Sequence, residues 1–280
     1  MSEKWEKVLY KKQKYPDNYV DPSFLSNLRK NVNLYHYSWW ESVTGACCVT
    51  HEVSCTVLFV ICYVTMKEDI LSIRNIIALM ALLTVVCFSI FQLTSQNQWT
   101  INVLNIYTNS KSCFIFLTFG YMFSPVLKTL TQTISTDTIY AMVVLMMLLH
   151  ILLQDYGSDA AIVSSTLSLN SALFAAVCLS SRLPTVMHTF ALMLTAVIVF
   201  VLQPLMRKFF KENNFGLILI TCIFFVTIVI IFMYLSTKFM VLYVLLCLCI
   251  NLLFPSLFVH CQKYKENIFG PWDEAVVKHE

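Results

Sequence analysis

The sequence predicts an all-α polytopic membrane protein with about eight transmembrane helices, and three observations carry that prediction. Hydrophobic residues make up 58% of the 280-residue chain and charged residues only 12%, where ordinary soluble domains hold about 45–50% and about 25%. The mean hydropathy is +0.70. The apolar residues gather into eight runs, most of them near the length of about 20 residues that a bilayer core of about 30 Å demands, with the third and fourth shorter. A soluble globular enzyme, a disordered chain and a disulfide-stapled secreted module are all excluded. The net charge of +3 gives no ground for a nucleic-acid partner.

Residues 1–42 read as a polar, aromatic-rich head. Asp21-Pro22 has the form of an N-cap followed by proline at the first helical position. Phe24, Leu25, Leu28, Val32 and Tyr35 then recur at helical spacing, opposite Asn27, Arg29, Lys30 and Asn31. The pattern predicts a short amphipathic helix, suited equally to a membrane surface and to a partner protein. Met1 to Lys14 hold five lysines and two glutamates with no apolar run behind them, so the first span is expected to serve as the targeting signal.

The bundle occupies residues 43–259. Its spans are expected at Ala46–Met66, Ile76–Leu93, Cys113–Leu127, Thr138–Leu153, Ala160–Leu179, Thr185–Met206, Gly216–Leu235 and Phe239–Val259. A tail, 260–280, follows. Of the 19 Lys and Arg residues, 14 fall in segments on the side of the N-terminus, which predicts that both ends are cytosolic. The eleven cysteines form no CxxC pair and are expected to pack as small hydrophobes.

Several motifs suggest chemistry. His51-Glu52 would open a zincin signature, but the position that needs a second histidine is Cys55. Cys48, Glu52, Cys55 and Cys62 instead share one helical face, a packing seam with one acid that requires a partner. Asp155 and Asp159 could suggest an aspartyl-protease pair, but Asp155-Tyr-Gly-Ser-Asp159 reads better as a tight loop in which Asp159 caps the fifth span. Glu266 and Glu274 have the E-x7-E spacing of retaining glycosyltransferases, yet stand in a short tail without a nucleotide-sugar domain. No catalytic residue, metal ligand or cofactor site emerges.

The fifth span carries the clearest pattern. Ala160, Ser164, Ser168, Ala172, Ala176 and Ser180 recur at every fourth position, a small-residue ridge against which another helix can pack closely. Asn170 adds an amide that needs a hydrogen-bond partner at membrane depth, and the helix is expected at the centre of the bundle. Between the third and fourth spans, Pro125 and Lys128 are expected to close one helix and Asp137 to cap the next, with Lys128 and Asp137 in position to pair. In the tail, Gly270-Pro271 fixes a turn and Trp272 presents a large amphipathic ring, expected to anchor the tail beside the head. Lys128, Asp137, Asp155, Asp159, Asn170, Arg182 and Trp272 are the candidate contacts to lipid headgroups or partners.

Blocks of the chain resemble the PIG-C family: Lys7–Tyr10, Tyr15–Asp21, Phe123–Thr129, Ser135–Ala141, Asp155–Gly157, Ala160–Asn170, Ser180–Pro184, Lys265–Ile268 and Gly270–Ala275. They run in colinear order from residue 4 to about 275. The resemblance implies a multispanning member of the endoplasmic-reticulum complex that transfers N-acetylglucosamine from UDP-N-acetylglucosamine to phosphatidylinositol, the first step of glycosylphosphatidylinositol-anchor synthesis. It implies PIG-A as the catalytic partner, with PIG-Q, PIG-H and PIG-P as further members. The chain itself is then non-catalytic, structural and lipid-presenting. Its lipid partners are the phospholipid bilayer and, as a candidate within it, phosphatidylinositol. The other class considered, a small lipid or solute transporter, predicts paired halves with Gly- or Pro-broken helices; five glycines and no half-repeat speak against it.

Overall fold

The computed structural model describes residues 10, 12–16, 19, 29–31, 34–94, 103–156, 163–204, 207 and 214–269. Among them, eight helical rods follow one another, each over one of the expected apolar runs: α1 (Trp39–Lys67), α2 (Ile73–Thr94), α3 (Val103–Thr129), α4 (Thr136–Leu153), α5 (Ser165–Ser180), α6 (Val186–Leu202), α7 (Asn214–Leu235) and α8 (Thr237–Tyr264). Helices α1, α4 and α8, and Gly216–Leu235 within α7, are long and apolar enough to cross a membrane. With 16 residues, α5 spans about 24 Å, less than a bilayer core of about 30 Å.

Local sequence sets the ends. Helix α1 starts earlier than its apolar run because Ser38 and Glu41 form a capping box: Glu41 N donates to Ser38 Oγ (3.3 Å) and Ser38 N to Glu41 Oε2 (2.7 Å). It ends at Glu68, before Asp69 takes a positive φ of 53°. Two expected caps are corrected. Helix α4 is capped by Ser135, which accepts from Thr138 N, while Asp137 lies in the first turn. Helix α5 is capped by Ser164, which accepts from Leu167 N, so it starts at Ser165; Asp159 and Ala160 lie outside the described residues. Pro125 does not close α3, which runs on to Thr129.

The hub is α1, where the sequence pointed to α5. Seven consecutive residues, Thr50 to Thr56, are all buried. Two helical turns take in every direction around the axis, so other helices surround this stretch on all sides. Helix α7 makes the most extensive contact with α1. A core of Phe59, Met66, Leu192, Val199 and Phe200 fills the space toward α4, α5 and α6, with Phe59 and Phe200 edge to face at 5.1 Å.

Helix α5 packs chiefly on α4, also touches α6 and α3, and leaves one strip open. Ser168, Ala172, Ala176 and Ser180 are each 0% exposed, whereas Leu167, Asn170 and Phe174 open outward. Two π turns, Ile198–Leu202 in α6 and Cys249–Leu253 in α8, widen their helices beside α1.

Head and tail meet at one end. Arg29–Lys30 pair antiparallel with Ile268–Phe269. Asn31 N donates to Asn267 O (2.8 Å) and Asn267 N to Asn31 Oδ1 (3.0 Å). Tyr37 and Gln262 exchange two bonds, of 2.8 and 3.0 Å. The expected head helix is corrected at Arg29–Lys30, which are extended, and at Asn31, whose φ is 57°; backbone pairing with the tail satisfies groups that a helix would have bonded internally. Its earlier part, around Phe24 and Leu28, lies outside the described residues, as does Trp272. Beside the clasp, the Tyr35 hydroxyl donates to Glu41 Oε1 at 2.9 Å, a bond that holds its pKa above the usual phenol range.

Replacing Ala172 by Leu forces a branched side chain into a filled seam. It is expected to destabilise the chain by about 1–3 kcal/mol, read as a lower thermal midpoint in detergent. Leu167→Ile, on the open face, leaves the midpoint nearly unchanged.

Candidate functional site

The buried stretch of α1 carries Glu52, 1% exposed, and a buried carboxylate requires partners for both oxygens. Oε1 accepts from His150 Nε2 of α4 at 2.9 Å. Oε2 accepts from Arg207 Nη1, just beyond α6. His150, 0% exposed, is held on its other side by α5: Nδ1 lies 2.8 Å from Ser168 Oγ, and that hydroxyl donates to Gln154 Oε1 at 2.7 Å. Arg207 also donates from Nη2 to Asp155 O (3.2 Å) and sits 5.4 Å from the centre of the Tyr156 ring.

A second set of bonds borders this cluster. Gln203 Nε2 lies 3.0 Å from His51 Nε2, and the His51 ring meets Phe224 edge to face at 4.7 Å. Asn251 Nδ2 donates to Thr50 Oγ1 at 2.7 Å. Ser54 and Tyr243 share a hydroxyl bond of 2.7 Å. Gln203 follows one π turn and Asn251 sits within the other, and π turns commonly re-aim side chains in this way. Polar groups on α1 are thereby tied to α4, to α6 and the segment just beyond it, and to α8.

Ser168, His150 and Glu52 have the outline of a nucleophile–base–orienter triad. However, Ser168 is fully buried, and its hydroxyl is engaged by both His150 and Gln154. The arrangement fixes helices; it does not present a nucleophile. Among the described residues no group of three His, Cys, Asp or Glu side chains is placed to hold a metal.

At the opposite end of the bundle, Arg182 Nη2 donates to Thr131 O (2.8 Å) and Ile134 O (2.6 Å), and Lys128 Nζ to Pro184 O (2.6 Å). These bonds lace the α3–α4 turn to the α5–α6 turn. Lys128 therefore engages Pro184 instead of Asp137. Asp155 contributes its carbonyl to the buried cluster, and Asn170 lies on the open face of α5. Sequence reasoning required a partner for Glu52 but missed His150 and Arg207. The available signal was depth: each is a basic residue near the end of an apolar run that finishes on the same side of the bundle.

The family model described as phosphatidylinositol N-acetylglucosaminyltransferase matches residues 5–273. A human protein named as the C-type subunit of phosphatidylinositol N-acetylglucosaminyltransferase is 40% identical over 99% of this chain and 94% of its own length. The chain belongs to the PIG-C family of phosphatidylinositol N-acetylglucosaminyltransferase subunits. A Dictyostelium discoideum member, given the same name provisionally, is 34% identical over 98% of this chain and 80% of its own. A Schizosaccharomyces pombe member, named as the GPI2 subunit, is 30% identical over 98% and 87%. No solved structure matches.

In this PIG-C family chain, Arg207→Met leaves Glu52 charged and half-partnered at full burial. The expected loss is about 3–5 kcal/mol, measured as the detergent unfolding midpoint. Adding Glu52→Gln to Arg207→Met restores part of that loss, and a double-mutant cycle reads the coupling.

Proposed function

We propose that this chain is a multispanning, non-catalytic member of a complex that transfers N-acetylglucosamine from UDP-N-acetylglucosamine to phosphatidylinositol, the first step of glycosylphosphatidylinositol-anchor synthesis. The full-length relationship to chains named as subunits of that transferase carries the reading. Within the complex, the chain acts as a scaffold that presents lipid to a catalytic subunit of the PIG-A type, beside subunits of the PIG-Q, PIG-H and PIG-P type. The buried cluster supports this role: Glu52, His150 and Ser168 spend their polar groups on one another and on neighbouring helices.

The same reading has eight crossings of the endoplasmic-reticulum membrane with both termini cytosolic. The excess of Lys and Arg on the N-terminal side and the pairing of head with tail favour it. Trp272 then anchors the tail on the cytosolic face of the assembly, and Asn170 meets a partner helix.

Three measurements test these statements. The purified chain is expected to show no transfer of N-acetylglucosamine to phosphatidylinositol, whereas complex isolated through it is active; turnover by the chain alone contradicts the reading. Glu274→Gln is expected to leave kcat of the complex largely intact, and a loss of several powers of ten with assembly unchanged would restore a catalytic role. In sealed microsomes, a cysteine replacing exposed Tyr264 is expected to react with an impermeant maleimide, and one replacing exposed Thr133 to react only after permeabilisation. The reverse pattern overturns the orientation.

A further inference from the structure

Helix α8 has two faces at its π turn, Cys249–Leu253. Toward the hub, Asn251 donates to Thr50 Oγ1 (2.7 Å) and to Cys247 O (2.8 Å). Away from it lies an open groove of about 380 Å³, lined by Leu245, Leu248, Cys249, Leu252, Leu253 and Ser256. The widened turn serves both faces, swinging the amide inward and spreading the leucines outside.

The groove changes character at Ser256. Ser256 Oγ accepts from Trp39 Nε1 at 3.4 Å, and the Trp39 and Trp40 rings meet edge to face at 5.0 Å. Trp40 is 70% exposed. Tryptophan concentrates where hydrocarbon gives way to headgroups. Continuing along the groove face in steps of three and four residues from Ser256, α8 presents His260 and Lys263, both exposed. Lys263 Nζ sits 4.8 Å from the centre of the Tyr264 ring.

Along this face an apolar stretch gives way to a level of tryptophan and hydroxyl and then to a cation. A glycerophospholipid matches it part by part: an acyl chain against the leucines, the glycerol region at Trp39 and Ser256, and a phosphate at Lys263 and His260. We propose that this face of α8 is a binding site for an anionic membrane phospholipid. The site deepens the lipid-presenting reading, on which it rests for the lipid's role as acceptor, by naming where the lipid lies.

The test uses the full-length chain in phosphatidylcholine nanodiscs doped with photoactivatable phosphatidylinositol or photoactivatable phosphatidylcholine. The inositol lipid is expected to label residues 245–263 preferentially. Lys263→Ala is expected to lower that labelling about fivefold, the effect of one cation at an anionic lipid surface. Leu252→Trp fills the groove at a half-exposed position and is expected to abolish the labelling. Equal labelling by the choline lipid, or indifference to both substitutions, overturns the site and leaves only bulk lipid. Loss of labelling in the assembled complex, with position 252 crosslinking to another polypeptide, overturns it in favour of a helix. Transferase activity of the reconstituted complex is read in parallel. Activity without selective labelling removes the site and keeps the proposed function; selective labelling in an inactive complex does the reverse.

Discussion

The arrangement of helices depends on one constraint: a carboxylate buried in an apolar bundle has to be paired on both oxygens. Glu52 meets it with His150 on one side and Arg207 on the other. Each partner is itself held, His150 by Ser168 and Arg207 by the Asp155 carbonyl. Satisfying a single acid therefore fixes the C-terminal end of α4, the start of α5 and the segment that leaves α6. Hydrophobic contact alone resists sliding weakly, because one leucine replaces another at little cost. The polar cluster supplies a register that the leucines do not.

Much of this was legible in the sequence. Each of the eight apolar runs is a helix; of the six ridge residues, Ser168, Ala172, Ala176 and Ser180 are buried, Ser164 is the cap of α5 and Ala160 lies outside the described residues. The acid at position 52 already demanded a counter-group. What stayed hidden follows from geometry at long range. Helix α1 has polar and apolar residues all around its axis, a pattern without a preferred side, and only the packed bundle reveals that every side is covered. The two π turns leave no local signature, yet they decide where Gln203 and Asn251 point. The caps of α4 and α5 went to the serines Ser135 and Ser164, not to the nearby aspartates, because the hydroxyls stand at the residue where the chain turns into the helix.

Polar chemistry is thus concentrated at the hub and apolar surface lies outside, as on the outward sides of α3, α7 and α8. Among the described residues, the bundle offers a large apolar area to share with lipid or other helices, in keeping with a family whose members are named as subunits. Among the described residues, Asn170 on α5 and the end of α8 beside Trp39 and Trp40 interrupt this apolar exterior.

The pairing of head with tail also bears on biogenesis. Arg29, Lys30, Asn31, Tyr37 and Trp39 find hydrogen-bond partners at residues 256–269, which leave the ribosome after all the helices before α8. Until then the backbone at Arg29–Asn31 lacks these partners, although it is made before the bundle. The fold closes like a ring whose two ends join only after the whole circumference exists. A nascent chain that stops short of α8 leaves the head unmated, so completion of the chain is registered outside the bundle itself.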